Sequence, residues 1–287
     1  MKKIGKILLM QPNCALLGKR SWEMIPYGLG LLKAVLGERY EIDLFDPNFA
    51  NLGEAAIRTR LREFQPEVVG LTSYSTEYVR EIAYHTALIK SELPDTTVVL
   101  GGTYPTVLVS KAMEDPNVDY CVMGEGEYRF PALLEALASG ADASFPDGVA
   151  FRDNGDVVIH PPRGFIQDLD KVPMPDYGEL DLVQYGRFAF KYAHVLIPKQ
   201  YPFALTISSR GCPFDCIFCA ARTVSGAKVR MRSAANVLRE LDYLVGEKGI
   251  REIIYLDDHF LHSRKRVVEI MSGIMDRKYG ITWKPAN

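Results

Sequence analysis

Cysteine is scarce in this 287-residue chain, with five residues in all. That is too few for a disulfide scaffold, and an odd count fits a reducing compartment. Histidine is equally sparse, with His85, His160, His194, His259 and His262, none paired at metal-ligand spacing on one helix face. Charge of one sign is also lacking. Lys and Arg number 34 against 36 Asp and Glu, a net of −2, so no basic field draws the chain to nucleic acid or an anionic membrane. No apolar run reaches the ~18 residues of a membrane-spanning helix. The opening "MKKIGKILLMQPNC" lacks the long apolar core and small-residue cleavage site of a secretory signal and reads as a first buried strand. Together these absences predict a cytoplasmic protein with no nucleic-acid or membrane partner. What is present is ordinary for a globular chain, 47% hydrophobic and 24% charged, at a length that suits two domains.

Residues 1–140 alternate strand and helix patterns. "KILLMQP", "YEIDLFDPN", "PEVVGLTSYS", "TTVVLGGTYPT" and "VDYCVMGEGE" read as strands. "YGLGLLKAVLGE", "LGEAAIRTRLREF", "TEYVREIAYHTALIKSEL" and "YRFPALLEALASG" carry helical spacing. Strands this apolar, separated by helices, belong to a parallel sheet covered on both faces. The expected fold is α/β, a doubly wound, flavodoxin-like (Rossmann-type) domain.

Ligands of such sheets bind beyond the carboxyl ends of the strands. Those ends carry Ser73, Tyr74, Ser75 and Thr76; Gly101, Gly102 and Thr103; and Gly124, Glu125 and Gly126. Gly, Ser and Thr let backbone approach a ligand closely and offer small hydrogen-bonding groups. A tight strand-to-helix turn is the plainer explanation of any one loop. Three on one rim point to a pocket for a sizeable ligand.

Residues 141–200 change texture and read as an ordered linker. "FPDGVAFRDNGDVVIHPP" predicts a hairpin turning at Asp153-Asn154-Gly155, and the proline-punctuated "DLDKVPMPDYGELDL" excludes a long helix. A second βα series fills 201–287. Strand Phe203 to Ser208 enters a cysteine loop, a helix capped by Ser233 follows with Gly249 near its end, and "REIIYLDDHF" is a strand ending in two aspartates. A further helix and the start of a third strand complete the chain.

Three of the five cysteines, Cys212, Cys216 and Cys219, stand at C-x₃-C-x₂-C in "SSRGCPFDCIFCAAR". A structural zinc site wants four ligands, usually in two separated pairs, and Cys14 and Cys121 stand singly in the first domain, where they read as packing residues. A thioredoxin-type C-x-x-C leaves Cys212 unexplained. The pattern favours a 4Fe–4S cluster held by three thiolates, with one iron left open for chemistry; zinc and thiol redox chemistry are the alternatives.

This motif, directly after a strand and with Phe218 before its last cysteine, resembles the radical S-adenosylmethionine (radical SAM) superfamily. "VRMRSAANVLRELDYLVGEKGIREIIYLDDHF" is similar to the corresponding stretch of that family. The resemblance implies that Cys212, Cys216 and Cys219 ligate the cluster and that its open iron chelates S-adenosylmethionine. One electron then cleaves the sulfonium to a 5′-deoxyadenosyl radical. It also implies that Phe218 lies against the adenine. Asp257 and Asp258, at a strand's carboxyl end where barrel enzymes keep site residues, are candidate S-adenosylmethionine contacts; a helix cap or surface ion pair is the alternative. Arg230 and Arg232 read as residues of a helix start rather than carboxylate ligands, and His259 as the one histidine near the site.

A flavodoxin-like domain ahead of such a core resembles the cobalamin-binding subgroup, and the resemblance spans essentially the whole chain. It implies a corrin cradled by Ser73, Tyr74, Ser75, Thr76, Gly101, Gly102, Thr103, Gly124, Glu125 and Gly126. Many cobalamin domains carry D-x-H-x-x-G after the first strand; here "QPNCALLGKRSW" supplies no such histidine. Either cobalt lacks that lower ligand, as is common in the subgroup, or the cofactor has been lost. The implied function is methyl transfer to an unreactive carbon or phosphorus centre of a small-molecule substrate, with an electron donor such as flavodoxin or ferredoxin. Cyclisation or rearrangement is the alternative chemistry. A methylthiotransferase would need three further cysteines. The barrel reads as incomplete, three strands of a core that typically has six, so the expectation includes a truncated chain, a split gene product with a partner chain completing the barrel, or a cofactor-binding remnant.

Overall fold

The computed structural model describes residues 4–18, 24–140, 144–188 and 197–286. His194, Asn287 and the first residues of the expected linker, 141–143, lie outside them. Seven strands form the first sheet: β1 (Lys6–Met10), β2 (Glu41–Phe45), β3 (Val68–Ser73), β4 (Thr97–Gly102), β5 (Tyr120–Val122), β6 (Val149–Asp153) and β7 (Asp156–His160). Their order is β2-β1-β3-β4-β5-β6-β7. The first five are parallel, in the doubly wound order expected, with the switch point between β1 and β3.

Ile7 and Leu9 pack under helices Tyr27–Leu36 and Gly126–Ser139, together with Phe130 and Leu133. Leu8 and Met10 face the opposite core with Ile57, Leu61, Ile82 and Ile89 from helices Glu54–Phe64 and Val79–Glu92. Both faces of β1 are therefore dry, which is why "ILLM" carries no polar alternation. Each such side chain contributes roughly 1.5–3 kcal/mol by leaving water.

The hairpin forms as the sequence indicates, with Asn154 at φ 49° and Gly155 at φ 95° in the two central positions that a two-residue hairpin turn requires. It does not stand between domains. β6 pairs antiparallel with β5, so the hairpin extends the first sheet.

The second unit contains β8 (Phe203–Thr206), β9 (Ser209–Arg210), β10 (Arg230–Met231), β11 (Glu252–Tyr255) and β12 (Thr282–Pro285). β8, β11 and β12 form a parallel sheet in the order β12-β11-β8, and β9 pairs antiparallel with β10. Helices Ala234–Leu241 and Arg264–Asp276 cover one face. The Ser233 cap is present, its hydroxyl accepting from Asn236 N at 3.1 Å, and Gly249 has φ 68°.

One apolar cluster runs through both units. It joins Ile25, Tyr27 and Leu31 to Tyr177, Leu182 and Tyr185 of the intervening segment and to Val237, Leu241 and Tyr255 of the second unit. The connecting residues thus belong to the core that sets the two sheets against each other. Among the described residues, no helix is long and apolar enough to cross a membrane.

Candidate functional site

The cysteine loop leaves β9 at Gly211 and returns to β10, so the two-residue ladder closes its base. Gly211 has φ 97°, and a Cβ there would collide with the Lys228 carbonyl; only glycine makes this turn. Cys212 N donates to Gly226 O at 3.0 Å, Cys219 N donates to Cys216 O at 3.0 Å, and Ala221 N approaches Cys219 Sγ at 3.5 Å. All three thiols are free, with Cys216 and Cys219 exposed and Cys212 partly so. Among the described residues no three potential ligands stand gathered around a metal position. The loop also exposes Phe214, Ile217 and Phe218, the last two at 103% and 89%. Apolar side chains grouped like this mark a surface that something covers.

The two aspartates divide sharply. Asp257 is fully buried. Its carboxylate accepts from Ser208 N, Ser208 Oγ and Ser209 Oγ, each at 2.6 Å, and Arg266 lies 3.7 Å away. Its oxygens are committed to the segment that leads into the cysteine loop. Asp258 accepts from Gly211 N at 3.3 Å and lines a cavity.

That cavity, about 590 Å³, opens between the carboxyl edge of the first sheet and the second unit. Its volume falls within the ~300–1,000 Å³ of small-molecule and cofactor sites. Tyr74, Ser75, Gly101, Gly102, Thr103, Gly124, Glu125 and Gly126 all line it. Ser73 and Thr76 do not: Ser73 is buried, its hydroxyl donating to Ser75 O at 3.2 Å, and Thr76 begins a short 3₁₀ turn facing solvent. The second unit contributes Leu205, Ile207, Ser209, Arg210 and Asp258, and helix Tyr27–Leu36 contributes Tyr27, Gly28 and Leu31.

The rim glycines differ in purpose. Gly102 has φ 92°, and a Cβ would strike the Ser73 carbonyl, so it is needed to bring the tips of β3 and β4 together. A Cβ on Gly101 meets only Val122 O at 4.0 Å, and one on Gly28 meets nothing within 4 Å. Those two leave space that a bound group can use.

Glu125 and Glu127 meet arginines of the second unit. Glu125 pairs with Arg210 at 3.0 Å and Arg230 at 2.8 Å, and Glu127 with Arg210 at 2.5 Å. Glu125 also accepts from Ile166 N at 2.6 Å. Burial alone pulls the Arg210 pKa down, but the two carboxylates outweigh it and the net shift is upward. Arg230 is thus a buried clamp residue and not part of a helix start. Arg232 is likewise buried, bound to Glu240 and Asn236. Arg129, fully buried, holds the same loop from behind through Met123 O, Glu125 O, Gly164 O and Asp147.

The chain matches the family model "B12 binding domain" over residues 14–134 and "Radical SAM superfamily" over residues 206–283. The two matches set a B12-binding domain ahead of a radical SAM domain in one chain. It is 32% identical over 98% of its length to an uncharacterized methyltransferase of Pyrococcus horikoshii, covering 59% of that protein. It is 28% identical over 97% of its length to an anaerobic magnesium-protoporphyrin IX monomethyl ester cyclase of Rubrivivax gelatinosus, covering 49% of it. Its fold matches that of the radical S-adenosylmethionine methyltransferase TsrM from Kitasatospora setae, with a TM-score of 0.74 and 21% identity over 96% of this chain and 51% of that one. The chain therefore spans about half to three fifths of each of these three proteins.

In the B12-binding domain, the loop after β1 is ordered by a histidine that does not face the cavity. His85 is buried; its Nε2 accepts from Asn13 N at 3.1 Å and its Nδ1 lies 2.6 Å from Glu81 O. Burial lowers its pKa, against the Glu81 carbonyl, and both ring nitrogens are spent as a neutral tautomer. Cys14, beside this loop, is buried with its thiol pushed up to about 12, and Cys121 likewise, both mainly by desolvation; both are packing residues. In the radical SAM domain, His259 sits edge-on to Phe214 with ring centroids 5.4 Å apart and to His262 at the same distance. His160 caps Phe145 O.

Proposed function

We propose that this chain binds a 4Fe–4S cluster, S-adenosylmethionine and cobalamin and serves a radical methyltransferase. The observation that carries this reading is the single cavity walled by the glycine rim of the B12-binding domain and by Ser209, Arg210 and Asp258, which flank the three-cysteine loop. Cys212, Cys216 and Cys219 fit a cluster by donor chemistry: three free thiols on one short loop, one of them already receiving a backbone N–H, as cluster thiolates do. The B12-binding domain fits a corrin by shape, because Gly28 and Gly101 leave open what any side chain would fill. No histidine lines the cavity among the described residues, so these walls would offer a bound corrin no imidazole.

When bound, the cluster supplies an electron for cleaving S-adenosylmethionine and cobalamin supplies a methyl carrier. The chain's residues bind and exclude. Phe218 offers an apolar face for the adenine, Asp258 holds the turn at Gly211, and Tyr74 with Ser75 closes the rim. Tyr74 is fixed there by donating from its hydroxyl to Gln11 at 2.7 Å. Tyr27, Leu31 and Ile207 keep the space between the domains apolar and dry. Asp257 and Arg266 serve as positioning residues through Ser208 and Ser209.

The methyl acceptor is a small molecule with an unreactive carbon or phosphorus centre, and a cytoplasmic one-electron donor feeds the cluster. A relative that is a cyclase favours ring formation as the second reading. The two separate on products. The reconstituted protein, a one-electron reductant and S-adenosylmethionine should yield both S-adenosylhomocysteine and 5′-deoxyadenosine if methyl transfer is the reaction. 5′-Deoxyadenosine alone supports cyclisation, and neither product refutes both.

A further inference from the structure

The four charged side chains joining the "GEGE" loop to the base of the cysteine loop occupy an unusual position. Arg210 and Arg230 are register partners across β9 and β10, the two short strands from which the cysteine loop springs. Glu125 grips both guanidiniums, at 3.0 and 2.8 Å, and Glu127 takes the other arm of Arg210 at 2.5 Å. Every one of these side chains is at most 15% exposed. Arg230 also donates to Ile166 O and Ser225 O, both at 2.6 Å, so residues on either side of the clamp are tied in as well.

A ladder of two residues per strand makes too few hydrogen bonds to fix its own orientation, and isolated two-stranded ribbons are marginal in water. What orients β9 and β10 must come from outside them. The carboxylates of the first domain do this, and they do it in a buried setting. Solvent there does not loosen the pairs as it does at a surface, and the planar guanidinium fork admits only a narrow range of angles. Buried ion pairs contribute little net stability compared with apolar packing; their strength lies in geometry.

From this we infer that Glu125 and Glu127 are positioning residues that set where the cysteine loop stands relative to the Gly101–Thr103 rim. Resting on the function proposed above, they fix the separation of the two cofactors. Glu125, Glu127 and Arg210 also line the cavity, so whatever fills it touches the same side chains that orient the loop. Occupancy of the cavity and order in the cysteine loop are thereby coupled.

Hydrogen exchange of the metal-free protein tests the clamp without any cofactor. In Glu127→Gln, amides of residues 209–212 and 226–232 should exchange at least tenfold faster, with β3 and β4 unchanged. Glu125→Gln should extend the effect to Ile166. Glu127→Asp, which keeps the charge on a shorter arm, should retain more protection than Glu127→Gln, because part of the pair with Arg210 survives. Unchanged exchange in those segments overturns the inference, and so does equal acceleration through β3 and β4, which would make the pairs general stabilisers. In protein loaded with cluster and cob(II)alamin, pulsed electron paramagnetic resonance should give a narrow distance distribution between the two centres and a broader one in Glu127→Gln. Wild-type protein that takes up no cobalamin would refute the proposed function, and the exchange result would still decide the clamp.

Discussion

Replacing Asp257 separates its two possible roles. Its carboxylate accepts three hydrogen bonds at 2.6 Å from Ser208 and Ser209 and faces Arg266 at 3.7 Å, with no solvent exposure. Asp257→Ala removes all three acceptors and leaves the Arg266 guanidinium without its counter-charge. Breaking a buried pair from one side costs about 3–5 kcal/mol. Asp257→Asn keeps the shape but only one acceptor oxygen; bonds to the other position are lost or reversed and the rest become neutral, a loss of roughly 1 kcal/mol per bond, part of which is offset by not burying a charge. Urea unfolding of the metal-free protein, followed by far-ultraviolet circular dichroism, reads this out. With a slope of about 2 kcal/mol/M, the midpoint of the transition that includes β8 and β11 should fall by about 2 M for alanine and by roughly half that for asparagine. If both variants unfold with the wild-type midpoint and fail only to bind S-adenosylmethionine, Asp257 is a ligand contact and not a structural anchor.

Asp46 gives a pH signature. Burial raises its pKa from 3.8 to about 6, against hydrogen bonds from Tyr185 Oη, Phe49 N and Asn48 N. The folded state therefore holds a proton that the unfolded chain releases between about pH 4 and 6, and stability falls across that window as pH rises. The shift of about two units is worth ~3 kcal/mol. Asp46→Asn should remove this slope, so that its stability relative to wild type improves by up to ~3 kcal/mol from pH 4 to 7; a parallel pair of pH profiles refutes it. His85 works in the opposite sense. Its lowered pKa makes the neutral ring's contribution full above pH 6.5 and lost as pH falls through its folded pKa, and His85→Gln should flatten the acid limb of thermal unfolding curves. The rim glycines should separate cleanly: Gly102→Ala destabilises by about 1–3 kcal/mol through strain at positive φ, while Gly101→Ala keeps the wild-type melting temperature and weakens cobalamin binding by tenfold or more. Arg129→Lys, which cannot reproduce the guanidinium fork to Asp147 and the carbonyls of Met123 and Gly164, should cost about 2 kcal/mol; a loss below 0.5 kcal/mol in calorimetry contradicts that role.

The parallel sheet was legible because its strands are dry on both faces. Ile7 to Met10 present unbroken apolar sequence between loop signals, and the shortness of the run favours a covered parallel strand over a buried helix. The three thiols were legible because their spacing is local. The hairpin was readable as a hairpin, yet its partner β5 was not, since pairing between Cys121 and Ala150 leaves no periodic trace. Asp257 and Asp258 looked equivalent. Successive residues at a strand's end point to opposite sides, and which side is lined by Ser208 and which by the cavity depends on a neighbouring loop. The clamp was out of reach for the same reason. Glu125 and Arg210 are 85 positions apart, and "GEGE" read as small backbone for a ligand when its two acids are in fact committed to arginines. Arg230 looked like a residue of a helix start because its partner is in the other domain.

The most direct test of the central claim is a joint count of iron and cobalt. The protein is reconstituted anaerobically with iron, sulfide and hydroxocobalamin, desalted, and analysed for both metals with its visible spectrum. The account predicts about four irons and one cobalt per chain, with iron lost and cobalt kept when Cys212, Cys216 and Cys219 are replaced by alanine. Cobalt absent from a chain that holds its iron would contradict it.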